Sequence, residues 1–157
     1  MAGHVIHLNT TVASDPEQIW GVLTDVEHAS QVLRSVTASR QLTDGPYDVG
    51  TAWEEQRVMF GHHGVEELHV VESDPPFRTL QEARLGHDTV RTAYSLTPTR
   101  DGQTRLSMTA TAVMKERSRA GKAAWKFFGG LSYESTRRAL QHDLEDIARE
   151  AERRSAS

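Results

Sequence analysis

The hydrophobic period of the chain switches between two and about 3.6, and the switches outline its elements. Over 5–12, Ile6, Leu8 and Val12 share one face and His7, Asn9 and Thr11 the other, which predicts a strand. Ile19, Trp20, Leu23 and Val26 then recur at helical spacing. Two start signals precede that helix. Ser14 and Glu17 are spaced as a capping box, and Asp15-Pro16 is an alternative cap and first-turn pair. A second short helix is expected over 27–33.

From Ser35 the period returns to two. Val36, Ala38 and Leu42 alternate with polar residues until Asp44-Gly45-Pro46. A strand over 49–60 places Trp53, Glu55, Arg57 and Met59 on one face, and a turn over 61–64 leads to a hairpin partner at 65–72. Asp74-Pro75-Pro76 is the next stop. Strands over 78–84 and 88–97 join around Gly86, and Arg100-Asp101-Gly102 turns into a last strand over 104–114. Leu106, Met108, Ala110, Ala112 and Met114 form its apolar face.

The final stretch, 131–153, reads as one helix of roughly 34 Å. Leu140, Leu144, Ile147, Ala148 and Ala151 make its buried stripe, with Glu145, Asp146, Arg149, Glu150 and Arg153 elsewhere on the wheel. Its beginning, through Gly129, Gly130, Ser132, Ser135 and Thr136, is small and polar, and a cavity is expected there. The order of elements predicts an α+β domain over 1–154, with six or seven antiparallel strands curved around the long C-terminal helix. Residues 155–157 read as a short tail.

Composition narrows the function classes. A formal charge of −4 argues against nucleic acid as partner, and the absence of cysteine removes thiol chemistry and thiolate metal sites. No apolar run approaches the ~20 residues of a membrane span, and the first ten residues lack a secretory signal, so a cytoplasmic protein is expected. Monomer and homodimer both remain open. His62, His63 and His69 cluster, but adjacent histidines on a pleat point apart, and no metal or cofactor is expected.

The more apolar face of a curved sheet should be its concave one. This points Trp53, Glu55, Arg57, Met59, Leu68, Leu80, Glu82, Arg84, Tyr94 and Met108 inward. Charges there are costly unless paired or wet. Either Glu55, Arg57, Glu82 and Arg84 form a polar end that orients a ligand carbonyl, enol or carboxylate, or they are a structural ion-pair network. Trp53, Tyr94 and Tyr133 are the aromatic candidates. The basic, aromatic stretch 115–130, with Trp125 and Phe128, reads as a cavity mouth, as packing or as a membrane-surface contact.

Four segments carry a family resemblance: VASDPEQIWGVLTDVEHA, VVESDPPFRTL, YSLTPTRDGQTRLSM and RALQHDLEDIAREAE. In this order they resemble the START/Bet v 1-like superfamily, in its bacterial polyketide cyclase/dehydrase branch. One departure is the run HASQVLRSV, which lacks the aromatic and Trp-x-Pro-like step of many relatives. The resemblance implies a helix-grip fold enclosing an elongated cavity for an apolar or aromatic molecule such as a polyketide, sterol, quinone or lipid. It implies a cyclase/dehydrase-like enzyme or a non-catalytic carrier or sensor, without choosing between them.

Overall fold

The computed structural model describes residues 3–59, 62–85, 88–113 and 133–157. Seven strands form one antiparallel sheet: β1 (Gly3–Val12), β2 (Val36–Gln41), β3 (Ala52–Met59), β4 (His62–Asp74), β5 (Arg78–Leu85), β6 (Asp88–Pro98) and β7 (Thr104–Val113). Their spatial order is β1-β7-β6-β5-β4-β3-β2. The six later strands form a meander whose last member returns to pair with β1. Strands β1 and β2 therefore lie on opposite edges, and the segment between them must cross the sheet. That segment contains α1 (Pro16–Leu23), a 3₁₀ turn at Val26–His28, and α2 (Ala29–Val32). The long helix, α3 (Tyr133–Ala156), lies against β1, β7 and α1.

Of the two start signals for α1, the second operates. Asp15 is the N-cap and accepts from the Gln18 amide at 2.8 Å, with Pro16 opening the first turn. The Ser14 hydroxyl instead meets that of Ser155 at 2.6 Å. The helix thus continues to Ala156, and Ser155, expected in a loose tail, is tied to the start of α1.

The C-terminal half of α3 is the anchor. Leu144, Ile147, Ala148 and Ala151 pack with Ile6, Leu8, Leu106 and Met108 of the sheet and Ile19, Val22 and Leu23 of α1. A second buried cluster, Val26, Trp53, Leu68, Val70 and Ala83, sits at the β3–β5 side with Tyr47 packed on it. One charged residue of α3 outside the apolar stripe is also inside. Asp146 is buried at 5% exposure, because its carboxylate accepts from the Arg34 amide at 2.9 Å and from the Arg34 Nη2 at 2.7 Å.

Leu144 is fully buried in the larger cluster. Leu144→Ala is expected to cost about 3 kcal/mol of unfolding free energy, as transfer and cavity terms add. A urea midpoint within error of the parent protein would contradict its place as anchor.

Candidate functional site

A cavity of about 400 Å³ lies between the concave face of the sheet, the helices that follow β1 and the N-terminal half of α3. Its wall is mostly apolar, with Val22, Val26, Leu33, Leu68, Val90 and Leu140 among the contributors. Thr136, small and polar, stands on α3 where a larger apolar residue would fill the space.

One end is polar, and Arg57 on β3 is its centre. The Arg57 side chain is 12% exposed. Its Nε donates to Glu55 at 3.1 Å, and its Nη1 donates to Asp143 of α3 at 2.7 Å and to the Ser35 hydroxyl at 3.0 Å. The Ser35 hydroxyl in turn donates a hydrogen bond to Asp143 at 3.0 Å. The Trp53 indole donates to the other Glu55 oxygen at 3.0 Å. Period two explains the grouping, since Trp53, Glu55 and Arg57 must share one face of β3. Burial alone would lower the Arg57 pKa, but Asp143, Glu55 and Glu66 together raise it well above its usual value.

Glu66 on β4 completes the group and differs from the other two acids. It is 4% exposed and lines the cavity. Its carboxyl makes no hydrogen bond among the described residues, and Arg57 Nε is 3.8 Å away. Burial is the main cause that pushes its pKa up to about 7; Arg57 opposes the shift, and Glu55 and Asp143 add to it. Tyr94 on β6 also lines the cavity, and its hydroxyl has no hydrogen-bond partner among the described residues. Burial, with nearby Asp143, pushes the Tyr94 phenol far above its usual range, so it remains a donor at every working pH.

The expected pocket residues divide clearly. Trp53, Glu55, Arg57, Leu68, Tyr94, Met108 and Tyr133 line the cavity. Trp53 and Met108, each 1% exposed, are also core residues. Trp125, Phe128 and the side chain of Met59 lie outside the described residues.

Glu82 and Arg84 do not face inward. Register pairs Leu68 with Ala83 and Val70 with Gln81, so Thr79, Gln81 and Ala83 form the inner face of β5. Glu82 instead accepts from Arg91 Nε at 2.8 Å on the outer face, beside His69 Nε2 at 3.8 Å, and Arg84 is exposed. Leu80 suggested the wrong face because it is the larger apolar residue. The correct face is polar for a reason: Gln81 donates to Tyr47 Oη at 3.1 Å, and Thr79 donates to the Glu72 carbonyl at 2.9 Å. The Tyr47 hydroxyl, 2.7 Å from Thr79 Oγ1, is then the donor that links them.

Sequence reasoning missed Glu66, Asp143, Ser35 and Tyr47. Glu66 stands two residues before Leu68, on the strand face already assigned inward. Asp143 is three residues after Leu140 and four before Ile147, within the buried stripe of α3. For Ser35 and Tyr47 the local pattern carries no signal, since both are placed by distant partners.

Because the fold holds the Glu66 proton to a higher pH than the unfolded chain does, its contribution to stability is present below about pH 4.5 and lost as pH rises through about 7. Glu66→Gln mimics the protonated form. The variant should gain on the parent by on the order of 3 kcal/mol between acidic pH and pH 8. Urea melts across pH 4.5–8 that show a constant difference would refute the assignment.

Comparison with known proteins agrees with this architecture. The sequence profile described as polyketide cyclase/dehydrase and lipid transport matches residues 12–141. No curated protein matches by sequence. Among solved structures, the Zhui aromatase/cyclase of a Streptomyces species is similar at a TM-score of 0.79 and 17% identity, covering 98% of this chain and 96% of that one. Norcoclaurine synthase of Thalictrum, solved as a point mutant with a transition-state analogue, is similar at 0.71 and 16%, covering 98% and 97%. A START superfamily protein of Mycobacterium smegmatis is similar at 0.67 and 16%, covering 96% of each chain. The curved antiparallel sheet gripping a long C-terminal helix is the helix-grip fold of these structures. The chain belongs to the polyketide cyclase/dehydrase and lipid transport family.

Proposed function

We propose that the protein binds a small apolar or aromatic molecule in this cavity and performs proton-transfer chemistry on it of the cyclase/dehydrase kind. The observation that carries this reading is the pairing of a mostly apolar chamber with Tyr94 and Glu66 in its wall, neither of which has a side-chain hydrogen bond among the described residues. A ligand carbonyl there meets the Tyr94 O–H as donor. Glu66, whose pKa of about 7 suits both giving and taking a proton, supplies the acid or base. Arg57 has a different part. With Glu55 and Asp143 bound to it, it holds the carboxylates in place rather than gripping an enolate.

One observation favours a second reading, a non-catalytic carrier. The described lining residues include no serine, cysteine or histidine, and Glu55 and Asp143 are both committed to hydrogen bonds within the protein. Mass spectrometry of material extracted from the purified protein separates the two: an intact bound lipid or quinone points to the carrier.

Tyr94→Phe is the cleaner site variant, because Arg57→Ala would strand buried carboxylates and cost stability as well. Tyr94→Phe should leave the melting temperature essentially unchanged. With a poly-β-ketone analogue it should lower cyclisation by about a hundredfold if the hydroxyl acts in the chemical step. Unaltered turnover and unaltered affinity would remove Tyr94 from the site.

A further inference from the structure

Acids outnumber bases at the polar end of the cavity. Among the described lining residues there, Glu55, Glu66 and Asp143 are acidic and Arg57 is the one base, while Asp25, also in the wall, is paired with His28 at 2.8 Å. Arg57 is already engaged by Glu55 and Asp143. Glu66 is not satisfied in the same way. Its side chain is 5% exposed and makes no hydrogen bond among the described residues, and Arg57 Nε stands 3.8 Å away, outside hydrogen-bond reach. The charged groups acting on it are Arg57 and Glu55 from β3 and Asp143 from α3, so two of the three repel its ionised form.

A buried carboxyl without a donor is an unfavourable arrangement that a ligand N–H relieves. A ligand carboxylate at the same place would add negative charge where the screening by water is weak. Arginine at this site suggests a fork for a ligand carboxylate, but the guanidinium has its carboxylate partners within the protein. Resting on the cavity-binding reading above, we infer that the polar end selects by charge: it seats an apolar or aromatic molecule bearing a protonated amine, with the N–H groups on Glu66, accepts a neutral analogue more weakly, and rejects a carboxylate. Glu66 is the specificity-determining residue.

The test is calorimetric binding of three matched probes, naphthylmethylamine, naphthylmethanol and naphthoate, at neutral pH to the full chain and to its Glu66→Gln variant. The amine should bind at least about tenfold more tightly than the alcohol, and naphthoate more weakly than either. In Glu66→Gln the gap between amine and alcohol should shrink to within about threefold. Naphthoate binding as tightly as the amine overturns the inference, and so does a gap that survives in the variant. If the alcohol binds and the amine gains nothing over it, charge selection fails while the cavity reading stands. If none of the three binds, the cavity reading fails and takes the inference with it.

Discussion

A buried guanidinium is the constraint on which the rest of the site depends. Arg57 cannot remain inside the sheet without anionic partners, and those partners come from separate places. Glu55 comes from its own strand and Asp143 from α3, and the neutral Ser35 hydroxyl just before β2 accepts a further bond. Asp143 lies next to Leu144, so the rotation of α3 that buries Leu144 in the core also delivers a carboxylate to Arg57. One turn later Asp146 holds Arg34, the residue before Ser35. Two carboxylates three residues apart therefore hold two consecutive residues of the α2–β2 junction. Packing sets how deep the helix lies, while these polar pairs set its angle about its own axis.

The apolar groups divide into two clusters rather than one. The C-terminal half of α3 fills the space over β1 and β7, while Trp53, Leu68, Val70 and Ala83 close the β3–β5 side. Tyr47 finishes the second cluster from the β2–β3 loop, with its ring edge-on to Trp20 at 6.0 Å and tilted against Trp53 at 6.2 Å. The chain of donors from Gln81 through Tyr47 and Thr79 to the Glu72 carbonyl keeps that ring in place. Space is left between the clusters where Thr136, a short residue, faces the cavity from α3.

The element order, the sheet and the stripe of α3 were legible because each is a local period repeated over many residues. The inner face of β3 was legible for the same reason: Trp53, Glu55 and Arg57 alternate without interruption. On β5 the rule failed, since one leucine outweighed a face whose polar residues serve Tyr47. Asp146 lies outside the apolar stripe, and nothing near it in the sequence marks it as buried; its partner, Arg34, is 112 residues away. Long-range hydrogen bonds decide both cases, and no window of sequence contains them. The candidate site was thus half visible, with Arg57, Glu55 and Tyr94 found by strand alternation and Glu66 and Asp143 passed over although they obeyed the same periods.

The two ends of α3 are held differently. At its C-terminus Glu152 accepts from the Ala13 amide at 2.8 Å and Ser155 meets Ser14, so the helix is fastened to the junction of β1 and α1. Toward its N-terminus, Tyr133 and Thr136 border the cavity. A helix of 24 residues is a rod of roughly 36 Å. A tilt of about 5° about the C-terminal end would move Tyr133 by about 3 Å over that length, and the bonds of Asp143 to Arg57, Asp146 to Arg34 and Arg137 to the His7 carbonyl along the rod oppose it. A repacking around Ala151 therefore reaches the chamber wall only by straining the Arg57 and Arg34 pairs, which ties the shape of the cavity to the charges at its polar end.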